Sequence, residues 1–193
     1  MSGQMSLDGF ADAVPTDRLF FAVFPDTEAS AAIAYPVEEV GRQHGLRGTP
    51  LRRDRLHITL HHLGDYAGLP AAVVEQAQSA ATKMMAAPFE VRFDRVKSFG
   101  GHAQKKPCVL VGAAGDAPLQ RLRRQLGECL IHAGLRQRVT RDFTAHVTLR
   151  YERVALPEQA VATIMWAVRE FALVHSLLGQ TRYERLRTRT LAD

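Results

Sequence analysis

Apolar and polar positions alternate in short runs along this chain, each run closed by glycine, proline or a charged cluster. Arg18 to Phe24 is apolar and aromatic, stops at Pro25, and predicts a first strand. Asp26 then predicts a cap for a helix running to about Gln43, with Glu28 and Glu38 on its solvent side. Gly45, Gly48 and Pro50 mark a loop, and Leu56 to Leu63 predicts a strand closed by Gly64. Pro70 to Ala86 predicts a helix, and Phe89 to Phe99 a strand ending at Gly100 and Gly101. The order then recurs. Cys108 to Ala113 predicts a strand, Asp116 caps a helix to about His132, and Ala145 to Tyr151 predicts a strand. Pro157 to about Val168 predicts a helix, followed by strands at Phe171 to Leu177 and Arg182 to Arg189.

The spacing points to a duplication. Leu19, early in the first strand, lies 38 positions before His57, and Cys108 lies 38 before His146. Each half reads strand, helix, strand, helix, strand, although few residues are shared. The expectation is an α+β fold with two similar lobes, antiparallel sheets flanking a central cleft and helices outside. A pseudo-twofold axis would make equivalent residues face each other. Residues 1–17 have no basic segment followed by an apolar one, so they read as a flexible N-terminal tail. Residues 18–193 read as a single bilobal domain.

Composition narrows the class. Hydrophobic residues make up 46% of the 193, enough for a sizeable core. The net charge is +5, much of it in arginine clusters such as Arg52, Arg53 and Arg55, or Arg182, Arg185, Arg187 and Arg189. Such a surface favours polyanions, although a merely soluble basic protein has the same composition. Cys108 and Cys129 form no C-x-x-C pair, so neither a disulfide framework nor a structural zinc site is expected. No apolar run approaches the roughly 20 residues of a membrane span. A cytoplasmic monomer without a membrane contact is the default.

Two tetrapeptides carry the chemistry: His57-Ile58-Thr59-Leu60 and His146-Val147-Thr148-Leu149. In a strand, residues two apart share a face, so His57 and Thr59 point one way while Ile58 and Leu60 enter a core. His146 and Thr148 do the same in the other half. A lone H-x-T is most often a half-buried structural pair. Two of them, each followed by leucine at the same place in a repeat, predict two imidazoles and two hydroxyls around one cavity. That set suits phosphodiester hydrolysis without a cofactor. A neutral imidazole takes a proton from water, an imidazolium gives one to the departing oxygen, and hydroxyls bond to the non-bridging oxygens. A catalytic zinc usually wants three protein ligands, and no carboxylate or third histidine is suitably spaced. His61 would share the face of His57, too far along a straight strand to share one ion. His44, His62, His102, His132 and His175 have no matching partner and read as surface or packing residues.

These residues resemble the 2H phosphoesterase superfamily, and within it the RNA 2′,3′-cyclic phosphodiesterases, long called 2′-5′ RNA ligases. The similarity runs from Arg18-Leu19-Phe20-Phe21-Ala22-Val23 and Pro25, through both motifs and Leu63-Gly64, to Phe171-Ala172-Leu173, Ser176, Leu178-Gly179 and Tyr183-Glu184. The resemblance implies hydrolysis of a 2′,3′-cyclic phosphate, on an RNA end or a nucleotide, to a 2′-phosphomonoester. It makes His57 the proton donor and His146 the acceptor, with Thr59 and Thr148 holding the phosphate. It leaves open a 2′-5′ phosphodiesterase or RNA ligase, a small cyclic-nucleotide phosphodiesterase, or an RNA-binding module without catalysis. Many relatives carry arginine five positions after the second histidine, where this chain has Tyr151. Arg150, one position earlier, would share the face of His146 and Thr148 and so reach a phosphate. Ala145 stands where relatives often have proline, and His62 where they have phenylalanine.

Overall fold

A computed structural model describes residues 13–100, 105–112 and 117–192. Gly101, His102, the Asp116 cap and residues 1–12 of the expected tail lie outside them. The elements are β1 (Asp17–Val23), α1 (Thr27–Gln43), β2 (Ile58–Tyr66), α2 (Ala71–Thr82), β3 (Phe89–Ser98), β4 (Lys106–Val111), α3 (Ala117–His132), β5 (Val147–Glu152), β6 (Gln159–Val168), β7 (Glu170–Leu177) and β8 (Arg182–Thr190). Asp26 caps α1 as expected, its carboxylate accepting from Ala29 N at 2.8 Å. The first strand begins inside the stretch expected as tail. Thr16 N bonds to the Tyr66 carbonyl at 2.8 Å, and Asp17 is a buried residue of β1.

Two antiparallel four-stranded sheets result, with strand orders β2-β1-β7-β8 and β5-β4-β3-β6. This is the α+β, two-sheet architecture that the repeat predicted, but the sheets are not the two halves of the chain. The first sheet takes its last two strands from the C-terminus. The second takes β3, the strand that ends the first half of the sequence repeat. In both, a His-x-Thr strand lies at one edge beside the first strand of its own repeat.

The segment from Pro157 to Val168 corrects the expected helix: it is β6, paired along β3. Ile164, Trp166 and Val168 are buried while Met165 is exposed, which is period two. Ala160, Ala162 and Ala167 favour a helix locally, but the β-branched and aromatic positions decide once β3 supplies a partner. α2 therefore has no counterpart in the second half.

Leu19, Phe21 and Val23 of β1 face the main core with Ile58, Leu60 and Leu63 of β2. Phe20 and Ala22, on the opposite face, form a separate small apolar layer with Ala172 and Val174, against which Phe24 and Tyr183 pack. Ala22 pairs with Thr59, so that second layer is the floor from which the first motif rises.

The alternation in β6 has a direct test. Trp166 is buried and stacked on Phe93, with ring centroids 5.2 Å apart. Trp166→Ala should cost about 3–5 kcal/mol of unfolding free energy, and Met165→Ala no more than about 0.5, by denaturant titration. Equal losses at the two neighbours would contradict the strand.

Candidate active site

His57 and His146 each stand one residue ahead of their strand, at the mouth of β2 and of β5. Their ring contacts to the backbone match. Nδ1 of His57 lies 2.7 Å from the Arg55 carbonyl, and Nδ1 of His146 lies 2.7 Å from the Thr144 carbonyl. A carbonyl only accepts, so Nδ1 carries the hydrogen and donates it. That fixes the tautomer and leaves Nε2 as the nitrogen able to take or give a proton. Thr59 and Thr148, two residues on, are half-buried and pair with Ala22 and Val109.

Rings hold the imidazoles sideways. Phe20, Tyr183 and Phe24 lie 5.0, 5.5 and 6.0 Å from the His57 ring, centroid to centroid. Phe99 meets His146 edge-on at 4.9 Å. Burial dominates the titration of both. It takes His57 down to about 4, partly opposed by the bond to the Arg55 carbonyl and reinforced by the charges of His146 and Arg55. His146 is lowered for the same first reason, opposed by the Thr144 carbonyl. Both imidazoles are therefore neutral at pH 7.

Just past each threonine the strand gains one residue over its neighbour. Phe21 pairs with His61 and Ala22 with Thr59, leaving Leu60 extra; Cys108 pairs with Arg150 and Val109 with Thr148, leaving Leu149 extra. A bulge of this kind resets the alternation. Leu60 and His61 are consecutive buried residues, as are Leu149 and Arg150. His61 thus leaves the face of His57 and enters the core, its Nε2 donating to the Arg123 carbonyl on α3 at 2.9 Å. Arg150 corrects the expectation in the same way. It does not share the face of His146 but is buried beside Glu152, Nε to Oε1 2.8 Å, and donates to the Gly48 carbonyl. Gly41 of α1 leaves room for it: a Cβ there would fall 2.5 Å from Nη1. Among the described residues no group of three His, Cys, Asp or Glu side chains could hold a metal ion.

The family model of the 2′-5′ RNA ligase superfamily matches residues 25–180. The chain belongs to the 2′-5′ RNA ligase superfamily. Among solved structures, apo Escherichia coli LigT superposes with a TM-score of 0.72 at 23% identity, covering 93% of this chain and 99% of LigT. The Thermus thermophilus protein TT0787 superposes at 0.71 with 24% identity, covering 90% of this chain and 97% of TT0787. No curated protein matches in sequence. The structural likenesses establish the fold, and no helix among the described residues is long and apolar enough to cross a membrane.

This member of the 2′-5′ RNA ligase superfamily also carries a residue that the sequence did not single out. Arg123 of α3 is buried and donates to the Leu60 carbonyl at 3.0 Å, the Thr140 carbonyl at 2.6 Å and the Asp142 carbonyl at 3.3 Å. It ties the segment before His146 to the bulge after Thr59. An arginine inside an amphipathic helix pattern ordinarily reads as solvent-facing, so nothing local marked it. His175, read as a packing residue, is buried with Nε2 2.5 Å from the Asp17 carboxylate, at the far end of β1 from the first motif.

Burial of the imidazoles has consequences for anion affinity and for stability. An anion binding beside either imidazole would stabilise its charged form, so such binding would take up a proton. Affinity for sulfate, which stays dianionic, should rise by up to about tenfold per pH unit as pH falls from neutrality and level off near 4. Calorimetric titration from pH 8 to 4 would show it, and a constant affinity would contradict it. His61, lowered to about 4 mainly by burial, acts on stability, as His57 and His146 do while the site is empty. Between pH 6.5 and 4 the unfolded chain takes up a proton that the folded chain refuses, so stability falls with pH in that window. His61→Gln should remove its share of that fall in pH-dependent denaturation, and an unchanged slope would exclude His61 as a contributor.

Proposed function

We propose that this protein hydrolyses a 2′,3′-cyclic phosphate, on an RNA end or a nucleotide, to the 2′-phosphomonoester. The observation that carries this reading is the matched pair of imidazoles, each pinned through Nδ1 to the carbonyl two residues before it. His146 Nε2 takes a proton from water, and the hydroxide equivalent attacks phosphorus. The P–O3′ bond breaks, and His57 Nε2–H delivers its proton to O3′. One proton enters the site's histidine pair and one leaves, so a second proton exchange with solvent resets the pair. Thr59 and Thr148 donate hydrogen bonds to the non-bridging oxygens, where charge grows in the transition state.

The donor role requires bound phosphate to raise His57, which burial holds down to about 4 in the empty site. A group that begins neutral in the empty site becomes an acid only when the anionic phosphate arrives and raises it again. E. coli LigT has been crystallised with 3′-AMP and with phosphate. No cofactor or metal has a role in these steps. Opening of a 2′-5′ linkage, or its reversal as ligation, would use the same four side chains, and the substrate decides between them.

The first test is turnover of a 2′,3′-cyclic-phosphate-ended RNA in EDTA, with the product isomer identified. Turnover that needs added zinc or manganese would overturn the mechanism. His57→Ala and His146→Ala should each lose at least about a hundredfold in kcat, and the double variant less than the product of the two. Thr59→Val and Thr148→Val should lose less. A substrate with an activated leaving group needs no acid, so it should partly rescue His57→Ala and not His146→Ala. Rescue of His146→Ala alone would reverse the two roles.

A further inference from the structure

The two Nδ1 contacts are alike, but the carbonyls that accept them are delivered by different means. The Arg55 carbonyl belongs to a single helical turn, Arg53–Arg55, whose own geometry fixes it. The Thr144 carbonyl lies within residues 139–146, which no helix or strand covers. A carbonyl in such a segment orients an imidazole only if something else holds the segment still.

Arg123 supplies that hold. Its Nη2 donates to the Thr140 carbonyl at 2.6 Å, the Thr140 hydroxyl at 3.2 Å and the Asp142 carbonyl at 3.3 Å. Its Nη1 donates to the Arg141 carbonyl at 3.4 Å, and the guanidinium carbon lies 4.7 Å from the centroid of the Phe143 ring. Four consecutive residues, Thr140 to Phe143, thus meet one side chain, and the next residue is Thr144. Nε donates in another direction, to the Leu60 carbonyl at the bulge after Thr59, 3.0 Å away. The Arg123 carbonyl itself accepts from His61 Nε2 at 2.9 Å. Leu122 and Leu126 bury this stretch of α3 in the main core, so the guanidinium extends from a rigid base. A flat fork of five N–H groups can span acceptors on two chain segments at once, and a lysine ammonium cannot.

We propose that Arg123 is a positioning residue for His146, holding the Thr144 carbonyl where it keeps the imidazole in its Nδ1–H form with the Nε2 lone pair free. The inference deepens the cyclic phosphodiesterase reading and rests on it for the role of His146 as the base. Arg123 touches neither the substrate nor the reacting atoms. Without it the segment loosens and His146 populates the Nε2–H form, which has no lone pair on Nε2 to take a proton from water. The loss falls on kcat more than on KM, because Thr59 and Thr148 stay on their strands. His57 keeps its own turn and is unaffected.

Nitrogen NMR of the histidine rings reads the tautomer without any substrate. In the wild-type protein His57 and His146 should both show the Nδ1–H form. In Arg123→Lys and Arg123→Ala, His146 should become a mixture of the two forms while His57 does not change. On a substrate with a 2′,3′-cyclic phosphate, kcat should fall by about tenfold to a hundredfold in these variants, with KM changed by less than about threefold. Guanidinium ion at a non-denaturing concentration should restore part of kcat in Arg123→Ala. Arg124→Gln, at the exposed neighbouring position, should behave as the wild type. A His146 ring that keeps its Nδ1–H form in the Arg123 variants, or a wild-type kcat in them, overturns the role and leaves the reaction standing. If Arg123→Ala does not fold, Arg123→Lys decides by the same two readings. A wild-type protein that turns over no cyclic phosphate overturns the reaction, and the positioning role in catalysis falls with it.

Discussion

The segment that delivers each histidine is fastened to the strand of the other histidine. Ahead of His57, Leu51 N bonds to the Leu149 carbonyl at 2.8 Å, and Gly48 N bonds to the Glu152 carboxylate at 2.9 Å. Arg150 closes the same loop from beneath, through Glu152 and the Gly48 carbonyl. Ahead of His146, Arg123 gathers the carbonyls of Thr140 and Asp142 and holds them to Leu60. Neither motif can shift along its sheet without pulling on the other. The proposed proton-transfer groups lie on different sheets and would need that constraint, because a misplacement of about 1 Å between such groups costs on the order of a hundredfold in rate.

The bulges make this fastening possible. A regular strand would send every second side chain from His57 and His146 into the cleft. The extra residue after each threonine ends that run at two positions and turns the next odd residue inward. What emerges on the inner side is His61 in one sheet and Arg150 in the other, each against a helix where glycine allows close approach, Gly127 and Gly41. A charged side chain buried there is tolerated because Glu152 forms an ion pair with it and the Gly48 carbonyl accepts from it. His61 is neutral instead, and it costs the fold stability only when pH falls below its ordinary range.

Pseudo-symmetry holds for the proposed reacting groups and fails around them. The two Nδ1 contacts are equal in length. The surroundings differ: His57 sits among the rings of Phe20, Phe24 and Tyr183, while Phe99 meets His146 edge-on.

Alternation and spacing are local properties, and what depends on them was legible in the sequence. The two His-x-Thr runs, the pairing of His57 with Thr59 and of His146 with Thr148, the Asp26 cap and the mixed two-sheet fold all followed from residues a few positions apart. The face of Arg150 was not legible, because its bulge is set by how β5 pairs with β4. The strand at Gln159–Val168 was not legible either, since its alanines favour a helix until β3 offers hydrogen bonds and a core to Trp166. Arg123, Tyr183 and the reciprocal fastening join residues far apart in the chain. Sequence determined which side chains are candidates for the chemistry. Tertiary pairing decided which of their neighbours face the site, because register and bulges belong to two strands at once.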